Sequence, residues 1–303
     1  MKPDNARLGI LLMVLASLVF ALQDAVSRHL ASHYDIVTIV GLRFWFFAAF
    51  TVALTAVKGG GIGRVVRTAQ PWTQIVRGLL LIGSIWVMVS SFVILGLIES
   101  HALYSLCPLL VVALAGPLLG ERVGWRRWLA VLVGMVGMLV ILRPGLKVLS
   151  PDAILPLSGA LVFAFYVILT RRVSTTDSAE TTFFYTGMVG AIATTMAMPF
   201  FWTPMQNAAD WGWMGLLCAT AAISHFLIIK VYQLAEVGVV QPFAYSQFLF
   251  AGLMGMMFFA ETPDGWTLAG GGLIVAAGIY ALLNESRSNG IGKLQHASRT
   301  SPS

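Results

Sequence analysis

The chain repeats itself after about 140 residues, and each copy holds an odd number of apolar stretches long enough to cross a membrane. Leu18-Val19-Phe20-Ala21 returns as Leu161-Val162-Phe163-Ala164, and Arg28 follows the first copy at the same distance as Arg171 follows the second. Each copy contains five such stretches. Because five is odd, the second copy must enter the membrane from the opposite side. The sequence therefore predicts an all-α integral membrane fold with ten transmembrane helices in two inverted five-helix repeats.

The composition indicates a chain that lies almost wholly in the membrane. Hydrophobic residues make up 58% and charged residues 11% of the 303 positions, and the mean hydropathy is +0.83. A soluble protein lacks the polar surface to cover such an apolar fraction. The predicted spans are 8–30, 36–57, 74–97, 101–119, 125–142, 153–170, 181–201, 211–233, 237–259 and 266–283.

The spans divide the chain into two repeats and a tail. We predict a first five-helix repeat over residues 1–146, a second, inverted repeat over 147–285 and a disordered cytoplasmic tail over 286–303. The loops between spans are short, so no soluble domain is expected. The segment before the first span is too short and too weakly charged for a separate signal peptide, so that span is expected to be retained.

Basic residues are distributed unequally between the two sides of the predicted membrane. With the N-terminus in the cytoplasm, fourteen of the 19 Lys and Arg residues fall on the inner side and three, Arg28, Arg143 and Lys147, on the outer side. The positive-inside rule then places both termini in the cytoplasm of a bacterial-type inner (plasma) membrane. This asymmetry explains the basic sequence pI, so no nucleic-acid partner is expected. The two cysteines fall inside spans and indicate no disulfide framework.

Residues at the ends of spans four and nine carry a family resemblance. Pro108 lies in span four, which closes with Leu119-Gly120-Glu121-Arg122 before a glycine-rich fifth span. The second half repeats this order with Phe259-Ala260-Glu261-Thr262-Pro263 and another glycine-rich span. Over about residues 8–284 the chain resembles the EamA family of the drug/metabolite transporter superfamily. This resemblance implies a ten-helix carrier.

Span one departs from the pattern of many relatives in that family. They carry Trp-Gly where this chain has Phe20-Ala21, and a Lys seven residues after the Gly where it has Arg28. The polar pair Gln23 and Asp24 lies between these positions. Together with the segment Trp125-Arg126-Arg127-Trp128, the pattern resembles carriers of S-adenosylmethionine, riboflavin or opine-type metallophores. The resemblance leaves the choice among these substrates open.

Asp24 and Arg43 are charged residues inside predicted spans, where an unpaired charge costs about 2.5–3.5 kcal/mol or more. Asp24 is the one acidic residue clearly within a span, and it is a candidate for proton coupling or for binding a substrate ammonium. Its structural alternative is an ion pair with Arg28, one helical turn away. Arg43 keeps its proton, and its planar guanidinium suits a substrate carboxylate or phosphate. Its structural alternative is an ion pair with Asp24 or Asp35.

Other polar residues within spans are open to both functional and structural interpretations. Gln23 and Tyr166 occupy matching positions in spans one and six, which suits the walls of a central cavity but also suits hydrogen bonds between helices. His225 in span eight can relay a proton, contact a substrate or serve as a satisfied structural histidine. Arg77 lies nearer the cytoplasmic end of span three and is expected to snorkel towards it.

Spans four and nine begin with polar and aromatic side chains close to a proline. Tyr104, Gln241 and Tyr245 are candidates for substrate binding, the tyrosines by stacking on a flat group or by a cation–π contact. Aromatic residues near helix ends also form interfacial belts, which is the alternative. Pro108 and Pro242 each remove a backbone donor and can break their helices.

No cofactor or metal site is predicted. Glu121 and Glu261 precede the fifth and tenth spans, where a carboxylate favours a helix N-terminus, so both are assigned structural roles. His29 and His33 have a spacing that imitates a metal site, but they are expected in a wet interfacial loop.

These features predict a secondary active or facilitative transporter that moves a small polar organic metabolite by alternating access. The candidates are amino-acid-derived or heterocyclic compounds that resemble S-adenosylmethionine, riboflavin, aromatic amino acids or opines. The expected partners are the substrate and the lipid bilayer, and a monomer and a homodimer fit equally. The chain is not expected to be an enzyme. The main alternative is an integral membrane enzyme acting on a lipid or isoprenoid phosphate, and a passive channel is a third class.

Overall fold

The computed structural model describes residues 5–57, 62–121, 123–142 and 151–262, with the short pieces 265–266, 269–273, 276–277 and 279–280. Regular structure within these ranges is helical, and they contain no strand. The helices are α1 Ala6–Ala31, α2 Ile36–Val57, α3 Ile62–Val66, α4 Pro71–Leu95, α5 Leu97–Tyr104, α6 Leu106–Leu119, α7 Trp125–Leu142, a 3-10 turn Pro151–Ala153, α8 Ile154–Val173, α9 Ala179–Phe201, α10 Ala208–Leu234, α11 Val237–Ala244 and α12 Ser246–Phe259.

Among the described residues, eight segments are long and apolar enough to cross a membrane. They are Ala6–Ala31, Ile36–Ala53, Pro71–Leu95, Leu97–Leu119, Pro151–Val173, Ala179–Phe201, Ala208–Leu234 and Val237–Phe259, and each corresponds to a predicted span. The predicted fifth span is α7, whose apolar stretch is the shorter Trp128–Gly137. The predicted tenth span, 266–283, is described only in short helical pieces, and the predicted tail, 286–303, lies wholly outside the described residues. The protein is therefore an all-helical, multi-pass membrane protein.

Local sequence explains where several helices begin. The side chain of Asn5 accepts the backbone N–H of Leu8 at 3.4 Å and caps α1. Ser178 caps α9 in the same way, with its oxygen 3.0 Å from the backbone nitrogen of Thr181. Pro71 is the first residue of α4, where the missing N–H would have no partner in any case.

The fourth and ninth spans are both broken near the middle. The break in span four is at Ser105 between α5 and α6, and the break in span nine is at Tyr245 between α11 and α12. Pro108 accounts for the first break because it has no N–H to bond to the carbonyl of Tyr104 and its ring crowds that carbonyl. Pro242 lies inside α11, three residues before the break at Tyr245. The missing N–H of this proline therefore explains the second break less directly.

Helices of the first half pack mainly against helices of the second half in the part of the chain that is described. α1 lies against α10, α2 against α9, and α4 against α8. The α2–α9 contact is close because α9 carries glycine where it meets α2. A Cβ atom on Gly187 would lie 3.0 Å from the backbone carbonyl carbon of Phe47, and one on Gly190 would lie 2.0 Å from the ring of Phe44.

Ion pairs between described residues also join the halves. Arg28 in the last turns of α1 pairs with Glu261, just beyond α12, with a nitrogen–oxygen distance of 2.5 Å. Arg171 near the end of α8 pairs with Glu121, just beyond α6, at 2.7 Å. The structural alternative for Asp24, an ion pair with Arg28, is therefore wrong, because Arg28 pairs with Glu261 and Asp24 contacts His101. Both carboxylates face arginines of the other half, which are partners that the prediction did not name.

Two further expectations are corrected by the packing. Arg77 does not snorkel: its side chain is 0% exposed and hydrogen-bonds to Gln74, Thr170, Thr186 and the carbonyl of Thr182, so the surrounding helices supply the polar contacts that water would otherwise provide. Glu99 lies inside α5, within a membrane-length segment, so Asp24 is not the one acidic residue so placed.

The loop after α1 is held by the phenol of Tyr34. Tyr34 donates a hydrogen bond to Asp210 at 2.6 Å and accepts one from the backbone N–H of Gln206. The bond to that carboxylate raises the pKa of Tyr34 above its usual value. His29 and His33 contact each other's rings nearby, and the described residues contain no group of ligands suited to a metal ion.

Candidate functional site

A cavity with charged groups in its wall lies between the two halves. Its empty space is about 490 Å³, part of which is open to solvent, and we call it the polar cavity. Seven helices contribute to it, so its shape depends on how both halves pack. It is lined by Phe20, Gln23, Asp24, Arg43, Leu81, Ser84, Ile85, Met88, Val89, Phe92, His101, Tyr104, Phe163, His225 and Gln247.

A second cavity of about 590 Å³ adjoins the first and is mostly apolar. We call it the aromatic cavity. The two share five wall residues, which are Phe20, His101, Tyr104, Phe163 and Gln247. The breaks in spans four and nine lie in this wall, since Ser105 and Tyr245 both line the aromatic cavity. Broken helices at a central cavity are a common feature of transporter binding sites.

Asp24 forms the acidic part of the polar cavity. Its Oδ2 lies 3.2 Å from Nε2 of His101 and accepts a hydrogen bond from Nε2 of Gln247 at 3.1 Å. The ring of His101 stacks on Phe92, with centroids 5.2 Å apart. The carboxylate is therefore held by α5 and α12 and remains in the cavity wall, where a substrate cation can reach it.

Arg43 forms the basic part. Its side chain is 1% exposed, and one terminal nitrogen lies 3.0 Å from Nε2 of His225. The rings of Phe44 and Phe47 lie 5.7 and 5.9 Å from the guanidinium carbon. No described carboxylate pairs with Arg43, and neither its Nε nor Nδ1 of His225 has a hydrogen-bond partner among the described residues. The alternative ion pairs of Arg43 with Asp24 or Asp35 are not formed; His225 is its hydrogen-bonding neighbour, and the charge of Asp24 acts on it only at longer range.

The other predicted site residues divide between the two cavities and the helix packing behind them. Gln23 lines the polar cavity and accepts a hydrogen bond from Ser224 at 2.9 Å. Tyr104 lines both cavities. Gln241 and Tyr245 line the aromatic cavity, where the amide of Gln241 donates to Tyr232 and the hydroxyl of Tyr245 donates to the carbonyl of Val131.

Tyr166 differs from its repeat partner. It is fully buried and is not among the residues that line either cavity. Its ring lies 5.5 Å from the guanidinium carbon of Arg77 and 6.3 Å from the ring of His225. It therefore supports the basic part of the site from behind instead of lining the cavity as Gln23 does.

His101 and Gln247 are site residues that were not predicted from the sequence. Both are polar residues near the breaks of spans four and nine, and that position was the available signal. Their contacts with Asp24 could not be read from spacing, because they lie 77 and 223 residues away along the chain.

A bundle of membrane-length helices around a central cavity with charged walls and broken helices is the architecture of a membrane carrier. Comparison with known proteins identifies the family. The model of the EamA-like transporter family matches residues 7–143 and 152–283, which together make up most of the chain. The chain belongs to this family and is a membrane transporter of small metabolites.

Several relatives are similar over nearly the whole chain. An S-adenosylmethionine uptake transporter of Rickettsia prowazekii is 22% identical and covers 92% of this chain and 94% of its own length. A riboflavin transporter of Rhizobium johnstonii is 29% identical, with 94% of each chain covered. A pseudopaline exporter of Pseudomonas aeruginosa is 25% identical, with 90% and 95% covered. These relatives all carry the names of transporters.

A solved crystal structure has the same fold. It superimposes with a TM-score of 0.75 at 18% sequence identity and covers 94% of this chain and 99% of the other. At this level of identity the likeness concerns the arrangement of helices alone.

Proposed function

We propose that the protein is a secondary active or facilitative carrier for a small metabolite that has a carboxylate at one end and a cationic group at the other. The observation that carries this proposal is that one cavity presents Arg43 without a described carboxylate partner and Asp24 in a different part of its wall. A zwitterion bound between them would neutralise both buried charges. Arg43 would bind the carboxylate and Asp24 the cationic group.

The aromatic cavity extends the proposed site. It adjoins the polar cavity along a wall that includes Phe163 and Tyr104, whose rings are 5.9 Å apart. Flat heterocycles bind well between aromatic rings, so the bulk of a substrate would lie here while its charged groups stay in the polar cavity. S-adenosylmethionine-like and opine-like compounds carry both charges and rank first. Aromatic amino acids and riboflavin-like compounds use the same two cavities with fewer charged contacts.

Alternating access would come from two inverted five-helix repeats, residues 1–146 and 147–285, each of which supplies part of the cavity. The proposal rests on the sequence repeat and on reciprocal packing, because α1 lies against α10 as α8 lies against α4. The family match in two separate segments supports the same division. With ten spans and the basic residues on the inner side, both termini would be cytoplasmic and the membrane would be the inner membrane.

Asp24 is the proposed coupling residue. Its carboxylate faces the cavity and also contacts His101, so a proton and a substrate cation would compete for one group. This competition would link substrate movement to a proton gradient. Simple exchange without a gradient uses the same site.

Counterflow into proteoliposomes tests the proposed function. Purified protein is reconstituted with an unlabelled candidate inside, and uptake of labelled S-adenosylmethionine, riboflavin, tryptophan and an opine is measured separately. We expect trans-stimulation by at least one of these compounds, with the compound recovered unchanged. A membrane enzyme would convert an added lipid phosphate, and a channel would show flux without trans-stimulation. Either of these results would contradict the carrier proposal.

A further inference from the structure

The two ion pairs that join the halves occupy related positions at opposite ends of the helix bundle. Arg28 and Arg171 are 143 residues apart, and Glu121 and Glu261 are 140 apart, so both pairs use the same repeat positions. In each pair the arginine comes from one half and the glutamate from the other. The first pair lies where α1 and α12 end, and the second lies where α6 and α8 end.

The Arg28–Glu261 pair is attached to the helices that hold Asp24. Arg28 lies one turn beyond Asp24 on α1, and Glu261 follows α12, which carries Gln247. The pair also touches the start of α5, because a Cβ atom on Gly96 would lie 3.4 Å from the Glu261 carboxylate and 3.7 Å from the Arg28 guanidinium. Separation of this pair would therefore free three helices that together close the polar cavity.

The Arg171–Glu121 pair is attached to the aromatic cavity at the other end. Arg171 donates to the carbonyl of Tyr232 on α10 at 2.7 Å, and Glu121 accepts the backbone N–H of Val237 at the start of α11 at 3.0 Å. α11 carries Gln241, which lines that cavity and donates to the hydroxyl of Tyr232. Separation of this pair would free the start of α11 from α6 and α8.

We propose that the two ion pairs are the gates of the transport cycle, one for each side of the membrane. The Arg28–Glu261 gate separates to admit solvent from its face, and the Arg171–Glu121 gate separates to admit solvent from the opposite face. This inference rests on the proposed carrier function, since gates at opposite ends serve alternating access. Each gate is closed in this structure.

The two gates are unequal. The Arg171–Glu121 gate has both carboxylate oxygens bonded, one to Arg171 and one to Val237. In the other gate, Oε2 of Glu261 is buried and has no hydrogen-bond partner among the described residues, although Arg28 also lies 4.1 Å from the ring of Phe259. The gate with fewer hydrogen bonds costs less to separate. The Arg28–Glu261 gate therefore opens first from the closed state.

The native Cys107 provides a reporter for this inference. It is buried, lines the aromatic cavity and becomes reactive when solvent reaches that cavity. With Cys218→Ser as background, a membrane-impermeant thiol reagent is applied to right-side-out and inside-out vesicles, and the rate of Cys107 modification is measured from each face. The measurement needs no substrate, so its result is independent of whether the substrate proposal holds.

Glu261→Gln is expected to raise the rate of Cys107 modification about tenfold from one face only. Glu121→Gln is expected to raise it about tenfold from the opposite face only. The reason is that each change removes one part-buried charged hydrogen bond. The exchanged pair Arg28→Glu with Glu261→Arg should restore the low rate. Arg172→Gln, at an exposed neighbour of Arg171, is the matched control and should leave both rates unchanged.

Equal effects from both faces, or lower thermal stability without a change in either rate, would show that the pairs only brace helix ends and would overturn the gate proposal. Counterflow by the wild-type protein, measured in parallel, tests the carrier function separately. Wild-type counterflow with unchanged Cys107 rates in the variants would reject the gates and retain the carrier. Face-specific rates without any counterflow would support the gates and reject the proposed substrates.

Discussion

Removal of the Arg43 side chain should weaken binding of a carboxylate ligand by an amount that the site geometry predicts. Arg43 is 1% exposed, and its guanidinium has no described carboxylate partner. A ligand carboxylate that contacts it would therefore displace little water from the guanidinium. A hydrogen bond to a charged group contributes about 1.5–3 kcal/mol, which corresponds to about 10- to 150-fold in Kd.

The perturbation has two parts, one in the protein and one in the ligand. Arg43→Ala removes the guanidinium, and Arg43→Lys keeps a charge but loses two-pronged contact, so its loss should be smaller. The best ligand of the counterflow series is compared with its decarboxylated analogue. If the two groups contact each other, the two changes are not additive, and the second removal costs little once the first has been made.

Binding is measured by titration calorimetry on detergent-purified protein, with thermal stability recorded without ligand to confirm folding. Ser84→Ala is the matched control, since Ser84 lines the same cavity and its hydroxyl donates only within its own helix, to Leu81 at 2.8 Å. Ser84→Ala should bind the ligand and its decarboxylated analogue with affinities within about twofold of the wild-type values. Equal affinity of wild type for the ligand and its decarboxylated analogue would refute the assignment of Arg43 to the carboxylate.

Three further outcomes are expected. Asp24→Asn should keep substrate exchange in proteoliposomes but lose its response to an imposed pH gradient, and an unchanged response would remove Asp24 from coupling. A reporter fused after Asn284 should be active only if it is of the cytoplasmic type, because the basic residues favour that side; a periplasmic signal would contradict the proposed topology. Gly187→Ala should lower stability in detergent by about 1–3 kcal/mol because the added methyl meets the Phe47 backbone, whereas Gly83→Ala, which meets nothing within 4 Å, should not; equal melting temperatures would contradict the α2–α9 contact.

Helix positions were predictable because they follow from local composition. Runs of apolar residues give spans wherever they occur, and the predicted boundaries agree with the helices within a few residues across the described chain. The break at Ser105 could also be predicted from the sequence, because Pro108 removes the backbone hydrogen bond to the carbonyl of Tyr104. Such features need only a short stretch of sequence.

The pairing of charges was less accessible because it depends on how distant helices dock. Arg28 pairs with Glu261 instead of with Asp24 four residues away, and Asp24 contacts His101 on another helix. The position of Arg77 near the cytoplasmic end of its span predicted that its side chain would snorkel. Instead, hydrogen bonds to threonines on α8 and α9 hold the side chain within the helix bundle. A period in the sequence gives equivalent positions, but their side chains are free to acquire different surroundings.

The interleaving of the two halves has a consequence for how the chain is made. When the first half has left the ribosome, the second-half partners of three of its arginines have not been synthesised. The missing partner of Arg28 is Glu261, and that of Arg43 is His225. The missing partners of Arg77 are the threonines of α8 and α9. A prematurely terminated product therefore carries unsatisfied charges in lipid, which makes it a substrate for membrane quality control. The same dependence means that the two halves, produced as separate polypeptides, should each be short-lived alone and should rescue one another when made together.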